Sequence, residues 1–350
     1  MRDLRIGNGI AACIMNYYEY TVTHGYKIDF LLNRNIASPY VELAKKHGSR
    51  FYILPHDTSK PNKENINYIE KVVKNGYDIL HVNLSGLNAL IALEAARRAK
   101  VNQRIYHAHN PKESSSMKAK MRSLLYEVPS VWFANQYAAC STLAGDSIFG
   151  SRHYTVIKNA MDTSKFAFDE TARKHLRKEL GLEDKFVVGV VGRIAEQKNP
   201  YFTIDVFLEI KKRQKNSYLI WVGEGNLKEA VKAIVSEKRI EDSVNFLGTR
   251  EDVNKLYSAM DLFLLPSRFE GLGIVYIEAQ ISGLQCFGSD QIPSDVEVSE
   301  NMHRIKLSKS ASEWANEIVA AEKNGQERQT IYNTGFEIDD VVDALCGLYE

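Results

Sequence analysis

Residues 186–200 read Phe-Val-Val-Gly-Val-Val-Gly-Arg-Ile-Ala-Glu-Gln-Lys-Asn-Pro. The unbroken apolar run Phe186–Val191 predicts a strand covered on both faces. Pro200 sits where a proline opens a helix, predicting a helix over Tyr201–Arg213. Gly192, Arg193 and Lys198 therefore occupy a loop between a strand and a helix. In open α/β sheets, ligands bind beyond the carboxyl ends of the strands. Two cations at that point suit a diphosphate, whose charge grows as a bond to it breaks. The alternative is two solvated charges on an ordinary loop.

The same rhythm runs through the chain. Earlier strands are expected at Lys27–Leu32, Arg50–Leu54, Asp78–Asn83, Arg104–His109, Ala138–Cys140 and His153–Ile157. Later ones are expected at Tyr218–Val222, Val244–Leu247, Leu262–Leu265 and Gln285–Gly288. Helical stretches intervene, among them Leu87–Lys100, Leu227–Lys238 and Val275–Ser282. Short β-branched runs alternating with helices mean βαβ units and parallel sheets. The strands are too many for one sheet, so two doubly wound α/β domains are expected, joined within Lys158–Glu170.

The 350 residues are 44% hydrophobic and 25% charged, a soluble globular balance. A net charge of +1 gives no reason to expect nucleic acid. Cys13, Cys140, Cys286 and Cys346 form no C-x-x-C pair and read as buried, reduced thiols. No apolar run approaches the ~18 residues of a membrane span, and the first residues lack the apolar core of a secretory signal. A cytoplasmic location is the expectation. The sequence contains no D-x-D triplet and no clustered His/Cys/Asp set, so no bound metal or other cofactor is expected.

Two more strand–turn–helix joints carry polar groups. In Ser267–Glu278, Gly271 and Gly273 let backbone amides approach a ligand at a helix start, which favours an anion. Glu270 and Glu278 stand on either side, placed to accept hydroxyl pairs from a sugar and a ribose; the plainer reading of Glu278 is a surface helical residue. Trp221-Val222-Gly223-Glu224-Gly225-Asn226 is a weaker signal of the same kind. Gly7-Asn8-Gly9-Ile10-Ala11-Ala12, with Asp29 about 20 residues on, fits a dinucleotide fingerprint. That would make an NAD-dependent oxidoreductase, but almost no strand precedes the glycines and Asp29 lies inside its own predicted strand.

Taken together, these motifs resemble glycosyltransferase family 4, retaining enzymes of the GT-B fold, and within it bacterial enzymes of capsular and exopolysaccharide synthesis. The resemblance runs from about His107 to the C-terminus. It rests on His107-Ala108-His109-Asn110, Ala139-Cys140-Ser141, Ile157–Asp162, Gly192–Lys198, Val222–Gly225, Phe246-Leu247-Gly248, and Pro266–Glu278 with its E-x7-E spacing. The beginning departs from the family pattern: the loop Gly7–Ala11 is a glycine and an acidic residue short.

The resemblance implies an α/β GT-B architecture, two Rossmann-like domains facing each other across a cleft. Residues 1–160 would form the acceptor domain and 161–335 the donor domain. The helix within 336–350 would cross back to the first domain. Arg193 and Lys198 match the diphosphate pair, Glu270 the carboxylate near the donor sugar, and Glu278 the ribose carboxylate. His109 matches a histidine near the donor sugar, with His107 as the fallback. The donor-binding set is Gly9, Gly192, Gly223, Glu224, Leu247, Gly271, Leu272, Gly273, Ile274 and Glu278.

The implied reaction moves a sugar, with retention, from a nucleotide diphosphate to an acceptor hydroxyl, UDP being the family's commonest carrier. The implied acceptors are glycans or polyprenyl-diphosphate-linked sugars. Two alternatives keep the fold: a sugar-nucleotide 2-epimerase, and a catalytically weak or inactive partner subunit.

One stretch points to a membrane surface. Lys112, Lys118, Lys120 and Arg122 lie close together, with Glu113 the only acid before Glu127. At helical spacing Met117, Met121, Leu124 and Leu125 share a face. A basic amphipathic helix suits peripheral contact with an anionic membrane. The alternative is a domain helix with that face in the core.

Overall fold

The computed structural model describes residues 3–5, 9–34, 36–111, 117–323 and 328–350. The chain forms two compact units, Met1–Met161 with Gly335–Glu350, and Asp162–Thr334. Gly7, Asn8, Lys112 and Glu113 lie outside the described residues.

In the first unit the strands are β1 (Phe30–Leu32), β2 (Phe51–Ile53), β3 (Ile79–Val82), β4 (Gln103–Ala108), β5 (Gln136–Ala139) and β6 (Thr155–Val156). They form two parallel sheets, β1-β2 and β3-β4-β5-β6. The strand expected from Lys27 starts only at Phe30, because Asp29 is used as a side-chain anchor. Its carboxylate accepts the Arg50 backbone N–H at 2.7 Å, Arg50 Nε at 2.8 Å and the Tyr77 hydroxyl. That carboxylate has no role left on a ribose, which removes the oxidoreductase reading's acidic partner.

Helix Ile338–Tyr349 belongs to this unit. Its Val341, Val342, Leu345 and Leu348 share one core cluster with Leu4, Ile14, Tyr17 and Tyr18. The Met161 N–H donates to Phe336 O at 2.9 Å, tying the returning chain to the end of the unit's first segment.

In the second unit the strands are β7 (Phe186–Val191), β8 (Ser217–Val222), β9 (Val244–Gly248), β10 (Leu262–Leu265), β11 (Gln285–Ser289) and β12 (Met302–Ile305). All pair in parallel, in the order β12-β11-β10-β7-β8-β9. β7 and β10 are buried along their whole length, which explains their continuous apolar sequence. β12 was not foreseen: it is the edge strand, and His303 and Arg304 at its centre break the apolar run.

The chain runs outward from β7 through β8 and β9, then returns to β10 on the other side of β7. The order reverses between β7 and β10, so the loops that follow these two strands flank a crevice at the sheet's carboxyl edge.

Truncating Leu345, fully buried in the first unit's core, is expected to destabilise that unit by about 2–5 kcal/mol. Urea denaturation of Leu345→Ala followed by circular dichroism measures this; an unchanged midpoint would mean that the helix is not part of the core.

Candidate functional site

The loop after β7 turns sharply before its helix. Residues Glu196–Lys198 form one 3-10 turn, and Asn199 then takes left-handed backbone angles (φ 54°, ψ 53°). The Asn199 carbonyl accepts from the Thr203 N–H and hydroxyl, both at 3.1 Å, fixing the start of helix Pro200–Arg213. This geometry turns Lys198 back across the crevice. Its Nζ donates to Glu270 Oε1 at 2.5 Å, and the two side chains are 11% and 6% exposed.

Glu270 has two further donors, Ser267 Oγ at 2.6 Å and Gln197 Nε2 at 3.3 Å. Gln197 Nε2 also reaches Phe269 O at 3.1 Å, while its Oε1 accepts from Arg193 Nη2 at 3.2 Å. The Arg268 N–H donates to Gln197 O at 2.8 Å. The loops after β7 and β10 are thus joined by backbone, amide and ion pair. Arg193 itself is exposed beside the buried pair.

The loop after β8 packs under the loop after β7. The Gly192 carbonyl accepts from Trp221 Nε1 at 3.0 Å. Gly223 has φ 138°, and a Cβ there would lie 2.2 Å from Gly192 O, so contact between the loops demands glycine. The Gly223 N–H donates to Gly248 O at 2.8 Å, which brings in β9 beside the half-buried Leu247. Glu224 stands at the rim: its carbonyl accepts from the Ile194 N–H at 3.1 Å, and its exposed carboxylate pairs with Lys228 at 2.6 Å.

Beyond β10, Gly271 and Leu272 are buried and Gly273 is left-handed at φ 90°. Helix Ile274–Ile281 follows with no side-chain cap, so its first amides present their positive end at the switch point. Glu278, one turn in, is half-buried and accepts from Tyr257 Oη at 2.7 Å. Burial pushes its carboxyl up to about 7, the Tyr257 hydrogen bond holding it partly back.

His109 and Gly9 belong to the first unit. Gly9 opens helix Gly9–Thr23. His109 Nε2 is 2.8 Å from Asn83 Oδ1, and its ring stacks on His107 with centroids 4.1 Å apart. His107 Nδ1 lies 3.0 Å from His81 Nε2, and His81 Nδ1 lies 2.9 Å from Tyr349 Oη. Burial lowers all three rings, His109 to about 4 and His81 to about 3, so near neutrality this is a stack of uncharged imidazoles. An apolar cavity of about 210 Å³ between β1 and β3 has His81 and Asn83 in its wall, but neither His109 nor Gly9.

The structure therefore joins Lys198 and Glu270 directly and Arg193 to them through Gln197, and sets Gly192, Gly223 and Gly271–Ile274 around the same edge. Glu278 is held by a separate partner. The sequence reading passed over Gln197, Ser267 and Tyr257. The first two stood in the quoted loops, adjacent to Lys198 and three residues before Glu270. Tyr257 comes from helix Val253–Ala259, which no local pattern connects to Glu278.

Residues 172–337 match the family described as glycosyl transferases group 1. That match spans most of the second unit. The chain is similar to the putative glycosyltransferase EpsF of Bacillus subtilis, 29% identical over 97% of this chain and 93% of that protein. It is also similar to the UDP-Gal:alpha-D-GlcNAc-diphosphoundecaprenol alpha-1,3-galactosyltransferase of Escherichia coli, 28% identical over 66% of this chain and 62% of that one. Among solved structures, Anabaena Alr3699/HepE in complex with UDP-glucose matches at a TM-score of 0.82 and 19% identity, covering 100% of this chain and 98% of that one. The chain has the GT-B fold, and the resemblance to glycosyltransferases drawn from its motifs holds.

Glu278 gives a pH test of this site. Below about 4.5, its ordinary value, the group is protonated both folded and unfolded. As pH rises from there to about 7 the unfolded chain loses the proton and the folded chain keeps it, so stability falls across that window. Glu278→Gln keeps an acceptor for Tyr257 and removes the titration. The melting temperature of the parent should fall relative to that of the variant between pH 5 and 8. A constant difference across the range would refute the raised value.

Proposed function

We propose that this protein transfers a sugar from a nucleotide diphosphate, a UDP-sugar, to a hydroxyl of a glycan or a polyprenyl-diphosphate-linked acceptor, with retention at the anomeric carbon. The process is bacterial surface polysaccharide synthesis, at the inner face of the cell membrane. One observation carries the reading: Arg193 stands exposed beside the buried Lys198–Glu270 pair, at the switch point where helix Ile274–Ile281 opens uncapped. Similarity to a UDP-glucose complex supports the donor, and the E. coli relative's diphosphoundecaprenol-linked acceptor supports the acceptor class.

In this reading the diphosphate binds against Arg193, Lys198 and the first amides of helix Ile274–Ile281. Glu270, Ser267 and Gln197 hold Lys198 in place before the donor arrives, so little reorganisation accompanies bond breaking. As the sugar–phosphate bond lengthens, negative charge builds on the leaving oxygen and the cations stabilise it more than they stabilise the ground state. The acceptor hydroxyl enters on the leaving-group face and passes its proton to the departing phosphate oxygen. Glu278 receives the ribose hydroxyls.

The buried pair determines which variant tests this cleanly. Lys198→Ala would leave Glu270 buried beside an empty place and would harm folding as well as catalysis. Arg193→Ala removes an exposed cation whose side chain makes one hydrogen bond, to Gln197 Oε1 at 3.2 Å, and leaves the buried pair intact. It should lower kcat/KM at least ~100-fold, the scale of losing one electrostatic contact in the transition state, with an unchanged melting temperature. Transfer within twofold of the parent would sink the assignment. Because Arg193, Lys198 and the helix amides meet the diphosphate charge, transfer should continue in excess EDTA. Loss on chelation, restored by Mg²⁺ or Mn²⁺, would contradict that role. Proton NMR of the first-formed product reads the anomeric outcome.

A further inference from the structure

We propose that the helical run Met117–Phe133 of the first unit is an insertion surface for an anionic lipid bilayer, with Trp132 seated at the headgroup level. This deepens the membrane placement proposed above and rests on that reading only for its purpose.

Nine large hydrophobic side chains are exposed among the described residues, and six of them, Met117, Met121, Leu124, Leu125, Val128 and Trp132, lie on this one run. Met117 is 74% exposed, Leu124 68% and Trp132 71%. The sequence left open whether the apolar face belonged to the core; it does not. Soluble chains rarely expose so dense an apolar patch without a partner for it.

The run is nevertheless well anchored. Ser130 and Val131 are buried, and the segment Val128–Phe133 packs on helix Gly86–Arg98, where Arg97 lies 4.8 Å from the centre of the Phe133 ring. Between its two halves the helix widens into a single π turn, Ser123–Glu127, with the Val128 N–H donating to Ser123 O. Pro129, next in line, has no N–H to continue the regular ladder, and the wider turn accommodates it. The exposed face is thus presented by a segment held on its other side.

The charge around this face selects the partner. Lys118, Lys120 and Arg122 are exposed on the same helix, and the exposed Arg152 lies 5.8 Å from the centre of the Trp132 ring. Glu127, the one acid within the run, is half-buried and accepts from Ser123 Oγ at 3.3 Å. Apolar side chains flanked by cations, with a tryptophan among them, fit the boundary between acyl chains and anionic headgroups.

The other two tryptophans, Trp221 and Trp314, are fully buried in the second unit, so a change in emission on adding vesicles reports Trp132. The full chain is mixed with vesicles of phosphatidylcholine alone or with added phosphatidylglycerol, and pelleting and emission are recorded. Pelleting and a blue shift are expected with the anionic vesicles only, both weakening in high salt. Lys118→Glu, Lys120→Glu and Arg122→Glu together should lower partition at least ~100-fold, each cation contributing about a factor of five. Leu124→Asp with Leu125→Asp should weaken both the anionic pelleting and the Trp132 blue shift.

Equal partition into neutral and anionic vesicles, an unshifted emission on pelleting, or self-association through this face without lipid would each overturn the proposal. Titration of UDP against the same samples separates the two readings. Lost vesicle binding with retained UDP binding removes the docking surface alone. Retained vesicle binding without UDP binding supports docking and removes the donor assignment.

Discussion

A carboxylate taken out of water must find donors, and Glu270 finds three, from Lys198, Ser267 and Gln197. Two of these come from the loop after β7 and one from its own loop after β10. The sheet order makes the arrangement possible: β7 and β10 are neighbours although β8 and β9 lie between them in sequence. Without the pair, the charges would be buried and uncompensated, and the two loops would lose their central tie. The exposed Arg193 and the uncapped helix Ile274–Ile281 have a common focus because that tie fixes the loops that carry them.

The second unit was legible where burial is complete. β7 and β10 are covered on both faces, so their sequences are continuous apolar runs, and the loops beyond them stand out by contrast. β12 escaped because an edge strand with His303 and Arg304 in the middle resembles a loop. Arg193, Lys198 and Glu270 were legible as motif positions, whereas the hydrogen bonds joining them were not, since Lys198 and Glu270 are 72 residues apart. Tyr257 escaped for the same reason: its link to Glu278 exists only after the sheet has formed.

The first unit was harder to read. Its strands β1 and β2 are three residues each, too short for periodicity to fix their ends. Asp29 illustrates the difficulty, because its place in the chain fitted a ribose ligand, while in the fold it is held by Arg50 and Tyr77. The three stacked histidines show how burial, rather than residue type, sets chemistry. His109 is held neutral, so it can donate or accept a hydrogen bond but brings no positive charge to a donor. For Met117–Phe133, helical spacing revealed an apolar face, but spacing alone cannot tell whether that face meets a core or a bilayer.

A crystal structure of the complex with UDP tests the central claim most directly. If the tie between Lys198 and Glu270 exists to present cations to a diphosphate, phosphate oxygens will accept from Arg193 and Lys198, with the ribose hydroxyls on Glu278. UDP bound with its phosphates away from both cations, or with Glu278 still engaged only by Tyr257, would contradict it.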